Sequence, residues 1–185
     1  HLPVQSGSTR ILKEMNRQHT REEYMELVDN IYRIIPEISL SQDMIAGFPT
    51  ETEEDHQDTL SLMEHCNYDF GFMFAYSERP GTLAARKLED DIPDEVKNRR
   101  LTEIINLQQK MALERTQRFV GQVVEVLVEK ESKRSNAHWS GRNSQNTTVV
   151  FPKGDYKPGD FVNVLTSDCT TSTLIGEAVG YSEMQ

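Results

Sequence analysis

The chain has 185 residues, 36% of them hydrophobic, and a formal net charge of −10 at pH 7. That length suits one large domain or two small ones, and no run approaches the roughly 18 apolar residues of a membrane span, so no membrane partner is expected. The acidic balance excludes generic, field-driven nucleic-acid binding. Residues 1–118 carry 14 basic and 22 acidic side chains and residues 119–185 carry 6 and 8, so any RNA contact must come from a local patch.

His1–Ser6 reads as the end of a strand, and HLPVQSG begins in mid-pattern without the layout of a signal peptide. An internal start is expected, with a further N-terminal part of the same protein upstream and a cytoplasmic location. Thr20-Arg21-Glu22-Glu23 is a capping box, and Tyr24, Leu27, Val28, Ile31 and Ile35 follow at helical spacing until Pro36. Ile38–Phe48 is the next strand. Thr50 and Glu53 suggest a second capping box, before a helix with Leu60, Met63 and Cys66 on one face.

Tyr68–Tyr76 is an aromatic strand in which Phe70, Phe72 and Phe74 are expected to pack a barrel interior. Ser77–Thr82 is a turn-rich loop. Pro93 and Asp94 open a long helix to about Arg118, striped by Leu101, Ile104, Gln108 and Met111. Strand–helix alternation at this spacing means parallel βα units. Three units are too few for a closed eight-stranded barrel, so partner strands are expected before His1.

After Phe119 the pattern changes. Val123–Val128, His138–Ser140, Thr147–Phe151, Phe161–Leu165 and Leu174–Val179 are short strands separated by Gly, Pro, Asn and Ser. They suggest a small closed all-β barrel of OB-like type. The expected fold is thus an α/β part over residues 1–118 and a β-barrel over 119–185, with the boundary near Arg118–Gly121.

The two cysteines, Cys66 and Cys169, sit in no CxxC or CxxxC pattern. Reduced thiols are the default, one disulfide is the alternative, and no metal site is expected. His19, His56 and His65 lack ligand spacing and read as surface or helix-end residues.

HLPVQSGS at 1–8, MNRQHT at 15–20, QDMIAGFPTETEED at 42–55, YSERPGTLA at 76–84, SGRNSQN at 140–146 and VVFP at 149–152 together resemble the MiaB-type tRNA methylthiotransferases, a radical-SAM family. The resemblance implies that residues 1–118 are the last three or so βα units of a partial radical-SAM barrel and that residues 119–185 are a TRAM domain. It implies S-adenosylmethionine (SAM) as methyl donor and radical source. Two [4Fe-4S] clusters are implied for the full-length enzyme, ligated by cysteines upstream and none by this chain. Catalytic cluster residues are therefore expected outside it, and this chain by itself is expected to be inactive. The implied reaction is methylthiolation of isopentenyl-adenosine next to the tRNA anticodon, with the anticodon stem-loop as partner. Sister branches act on threonylcarbamoyl-adenosine or on a ribosomal protein; a non-catalytic RNA-binding module is the alternative from another class.

Gln5 and Ser6 stand at a predicted strand end, where ligands of parallel α/β folds bind, and the resemblance gives Gln5 the methionine part of SAM. Arg17 would grip the SAM carboxylate, with Arg10 a second candidate. Asp43 would accept the ribose hydroxyls, Ile45 and Gly47 would flank the adenine, and Tyr76 and Ser77 would meet its edge through backbone groups. Arg79 and Thr82 could face the RNA or the second cluster. The family has Gly where Thr50 stands. In the last domain Lys130, Lys133, Arg134, Trp139, Arg142 and Asn146 form a basic–aromatic–amide set suited to RNA. Each of these has a structural alternative: a strand-end cap for Asp43, a solvated helix residue for Arg17, a core ring for Trp139.

Overall fold

The computed structural model describes residues 1–182. It divides into two compact units, His1–Met111 and Ala112–Gln185, which are taken in turn.

In the first unit Ser8 caps α1 (Thr9–Glu14) by accepting from the Ile11 amide. Thr20 and Glu23 close the expected capping box on α2 (Arg21–Ile34), which buries Tyr24 and Val28. Strand β1 (Ser41–Ala46) leads to α3 (Glu53–Cys66), β2 (Phe70–Ala75), the short α4 (Leu83–Lys87) and the long α5 (Asp94–Gln117). The capping box of α3 is Thr52 with Asp55, not Thr50 with Glu53. An N-cap needs an extended backbone, whereas Thr50 is left-handed at φ 68° and its amide donates to Asp91 at 2.7 Å.

β1 and β2 pair in parallel from Ser41↔Phe70 to Ala46↔Ala75. The expected strand at His1–Ser6 is reduced to a single parallel bridge, Gln5↔Met44. Pro3 supplies no amide, and Gln5 turns left-handed at φ 76°, so the ladder is limited to Leu2 N to Ser41 O, Gln5 N to Asp43 O and Ile45 N to Gln5 O, at 2.8 to 2.9 Å. Among the described residues the sheet therefore has two full strands and one bridged segment rather than three strands.

Alternation along β1 and β2 sets the two faces of this sheet. Gln42, Met44 and Ala46, with Gly71 and Met73, turn toward the helices, where Met44 is fully buried beside Leu62, Met63 and Ile104. The stripe on α5 is the expected one. Gln108 donates to the Tyr68 carbonyl at 3.1 Å and accepts from Gln42 at 3.3 Å. A Cβ at Gly71 would lie 2.2 Å from Gln42 Nε2, so a larger residue there would displace that buried amide. The opposite face carries Ser41, Asp43 and Ile45 in register with Phe70, Phe72 and Phe74. These rings do not pack inside this unit: they are 38%, 54% and 55% exposed, since the helices cover only the other face.

The second unit contains β3 (Val123–Ser132), β4 (Ser135–Asn143), β5 (Thr148–Pro152), β6 (Phe161–Cys169) and β7 (Thr173–Tyr181). They close a barrel in the order β3-β4-β5-β7-β6, antiparallel except for β5 against β7, which is the OB-type arrangement expected. Val124, Val126 and Val128 alternate inward with Val149, Phe151, Val162 and Val164. The unit starts inside α5, ahead of the expected Arg118–Gly121 boundary. Ala112 and Thr116 are buried there, and Thr116 Oγ1 donates to the Thr171 carbonyl at 3.4 Å. No helix among the described residues is long and apolar enough to cross a membrane.

Candidate functional site

The carboxyl end of β1 is the first place where predicted site residues meet. Asp43 and Ile45 stand on the uncovered face, and the Gln5 backbone brackets them by bonds to Asp43 O and from Ile45 N, both 2.9 Å. The Asp43 carboxylate is partly open, with His1 Nε2 at 3.5 Å, and His1 Nδ1 also bonds Ser41 Oγ at 2.9 Å. Arg17 follows the left-handed Asn16 (φ 58°) at the end of α1 and is exposed, with no ion pair among the described residues. An open carboxylate on the uncovered face of a parallel strand can accept ligand hydroxyls, and an exposed guanidinium is available to an anionic group.

Two residues expected in this group have other duties. Ser6 is fully buried, and its hydroxyl lies 3.5 Å from Thr59 Oγ1 and accepts from the Ser8 amide at 3.2 Å, so it steadies the turn from inside. Gly47 faces α5: with φ +73°, a Cβ there would lie 2.3 Å from Lys97 Cγ. Close approach of a helix is by itself enough to favour glycine here.

The turn after β1 is held from behind. The Gly47 amide donates to Glu51 Oε1 at 3.0 Å, and Arg100 Nη1 donates to the same carboxylate and to the Glu51 carbonyl, each at 3.0 Å. Burial pushes the Glu51 carboxyl above its ordinary range despite those donors. Tyr76 donates its amide to Ala46 O at 2.8 Å, its ring meets Phe48 edge-on at 5.2 Å, and Lys97 Nζ stands 5.7 Å from the ring centre. Ser77 and Arg79 are exposed, and Thr82 caps α4.

Arg10 is committed elsewhere. It forms an ion pair with Asp55 and donates to Thr50 O. Burial would raise the Asp55 carboxyl, but Arg10, Ser8 and Thr52 outweigh it and hold the group well below the usual range.

His56, expected at the surface, is buried on α3 with Nε2 2.7 Å from Glu103. Glu53, His56 and Glu103 place ligand atoms within 4.8 Å of one another. Arg99 already bridges both carboxylates at 2.7 Å, which makes the group a salt-bridge network. Cys66 is buried, Cys169 is half-buried and both are free; burial pushes the Cys66 thiol up to about 11. Single thiols in separate units do not fit a metal cluster.

The second place is a groove of about 710 Å³ on the barrel surface. It gathers Lys130, Lys133, Arg134 and Arg142 with His138, over a floor that includes Val150 and Ile175. It spans β4 and β5, with the β3–β4 turn on one side and Thr170–Ser172 on the other, the strand face and loops that OB-type barrels use for oligonucleotides. Four cations around a partly apolar floor suit phosphate and base together. Arg142 is oriented by Asn146, whose carbonyl accepts from Nη1 at 2.7 Å, and by Glu129 at 3.8 Å.

Trp139 is not in the groove. Alternation on β4 turns His138, Ser140 and Arg142 out and Trp139 in, where it packs against the barrel core. Its Nε1 is buried without a hydrogen-bond partner, and Lys153 Nζ lies 4.7 Å over its ring. Asn146 stays at the turn with φ 63° and contributes its carbonyl. Sequence reasoning missed His138 and the Thr170–Thr173 side of the groove. The period-2 spacing of His138, Ser140 and Arg142 carried the first; the second is brought close only by barrel closure.

Comparison with known proteins finds matches in both units. The Radical SAM superfamily profile matches residues 1–63, and the TRAM domain profile matches residues 117–179. The tRNA-2-methylthio-N(6)-dimethylallyladenosine synthase of Flavobacterium psychrophilum is 70% identical over 184 residues, 100% of this chain and 38% of that protein. The synthase of the same name from Flavobacterium johnsoniae is 67% identical over 184 residues, again 100% of this chain and 38% of that protein. That from Bacteroides thetaiotaomicron is 56% identical over 179 residues, 97% and 39%. The chain thus spans a little over a third of the length of these relatives, and across that span, through both units, it is similar to the MiaB-type radical-SAM methylthiotransferases.

Proposed function

We propose that the protein to which this chain belongs attaches a methylthio group to N6-dimethylallyl-adenosine in tRNA, next to the anticodon, in the cytoplasm. The observation that carries this reading is the similarity to such synthases at 70% identity through both units of one chain. In this reading residues 1–118 are the last part of a partial radical-SAM barrel. The open face at the carboxyl end of β1 is its lumen, and residues 119–185 are the RNA-binding module. SAM, when bound, supplies the methyl group and the radical; the [4Fe-4S] clusters belong to the rest of the protein. Arg17 binds the SAM carboxylate, Asp43 the ribose hydroxyls and Ile45 one face of the adenine. Gln5 meets the methionine part, and backbone groups of Tyr76 and Ser77 meet the adenine edge. Ser6, Gly47, Glu51 and Arg100 act from behind, holding the turn in place.

Lys130, Lys133, Arg134 and Arg142 hold the anticodon stem-loop in the groove. Cluster-loaded full-length protein given a stem-loop containing dimethylallyl-adenosine forms the methylthio product, read by mass spectrometry of the nucleosides. Absence of product, or product only on threonylcarbamoyl-adenosine or a ribosomal protein, overturns the assignment. Lys133→Ala and Arg142→Ala each weaken tRNA binding and lower the salt slope of log affinity by about one. Unchanged affinity and slope in both variants would remove the groove from the RNA site.

A further inference from the structure

The second unit is a closed barrel of five strands, so its outer face has no open edge to which a further strand could be added. Register lays out the groove on that face row by row. Arg142, Thr148 and Thr173 stand abreast on β4, β5 and β7, Ser140, Val150 and Ile175 stand abreast one step on, and His138 faces Pro152 one step beyond. Each step is two residues, about 7 Å. The middle row is a recess: Ser140 is small and only 8% exposed, and Val150 and Ile175 give it an apolar floor. Cations surround this floor. Lys130, Lys133 and Arg134 are exposed and have no ion pair among the described residues, while Arg142 is faced by Glu129 at 3.8 Å.

His138 carries the one aromatic ring among the described residues that line the groove. Ser135 Oγ lies 2.8 Å from its Nδ1 and accepts from the Ala137 amide at 3.2 Å. The half-buried ring is thus tethered along one edge, and its Nε2 has no partner among the described residues. Phosphates by themselves require only the cations. The apolar floor and the ring have something to meet only where a base enters as well. A base inside a duplex has both faces covered by its neighbours and cannot enter a recess, whereas an unpaired base brings a free face. Resting on the RNA role of the groove proposed above, we propose that the groove takes one unpaired base of the stem-loop. That base stacks on the His138 ring over the floor of Val150 and Ile175, while the surrounding cations hold its flanking phosphates.

The test uses the full-length protein and an RNA anticodon stem-loop, with binding read by fluorescence anisotropy over a range of salt concentrations and the thermal midpoint read alongside. His138→Ala weakens binding about tenfold, the scale of one base stack. Its midpoint is unchanged, and so is the slope of log affinity against log salt, because no phosphate contact is lost. His138→Phe, which keeps a ring, recovers most of the affinity. Loop nucleotides are then replaced one at a time by abasic ones. At one position the replacement costs the wild type the same factor of about ten and costs His138→Ala nothing further, as two changes that remove one contact must. Wild-type affinity in His138→Ala overturns the proposal. So does a loss that His138→Phe does not recover, which makes the histidine a packing residue, or a full further loss in His138→Ala at every abasic position. An abasic scan that costs the wild type nothing also overturns it and gives the groove to the backbone of the stem. Unchanged affinity and salt slope in Lys133→Ala and Arg142→Ala remove the groove from the RNA site and this proposal with it. Weakened binding in those two variants without the His138 effects removes only this proposal.

Discussion

At the scale of single residues, Gly47 shows how a ligand-site motif can be a packing requirement. Its positive φ and the 2.3 Å approach a Cβ would make to Lys97 Cγ leave no room for a side chain. Gly47→Ala costs about 1–3 kcal/mol, from left-handed strain and from displacement of α5, measurable as a lowered urea midpoint. SAM affinity falls in the same variant, because the turn moves with the helix. Asp55 offers a pH signature. Its carboxyl lies below the ordinary value in the folded state, so its stabilising contribution is fully present above about pH 4 and is lost as pH falls through the depressed folded value. Asp55→Asn destabilises the chain at pH 7 and flattens the stability–pH curve below pH 4. A curve in that variant as steep as wild type would show that other carboxylates carry the acid sensitivity.

At the scale of elements, α5 is both a core helix and the back wall of the turn after β1. Arg100 and Glu51 form a buried pair, with side chains 5% and 2% exposed. Removing one partner strands the other: Arg100→Met leaves an unpaired buried carboxylate at a cost of about 3–5 kcal/mol. The sign of the pH effect follows from the raised Glu51 value. The folded state holds that proton more tightly than the unfolded chain, so the cost grows as pH rises above the ordinary carboxylate range and is relieved as pH falls. Denaturation of Arg100→Met at pH 5 and pH 8 should therefore show the larger loss at pH 8, and adding Glu51→Gln should restore part of it. The helix itself was legible, from Pro93-Asp94 and the spacing of Ile104, Gln108 and Met111. Its grip on Gly47 was not, because nothing local links residues so far apart in sequence.

At the scale of the whole molecule, two units with separate cores imply separate stabilities. The barrel is closed, and closure leaves no unpaired edge; its core from Val126 to Leu174 is self-contained. Residues 112–182 expressed alone should unfold in one cooperative transition, with a midpoint near that of the same unit in the longer chain. Gradual, non-cooperative melting would show that the barrel depends on the rest of the chain. The first unit has two strands and an open row of phenylalanines, so it should be the part that aggregates first on dilution from denaturant.

Sequence by itself determined the capping box at Thr20, the long helix from Asp94 and the five barrel strands, because periodicity and local motifs are properties of neighbouring residues; it read a strand at His1–Ser6 where there is one bridge, and it did not mark α1 or α4. It also placed Asp43 and Ile45 on one face of β1, as alternation along a strand requires. Tertiary structure alone decided which face of β2 the helices cover. The same holds for Gly47, Ser6 and Trp139, whose duties are set by Lys97, Thr59 and Lys153. Alternation says that two residues share a face; only packing says which face is buried and which is left to meet a ligand.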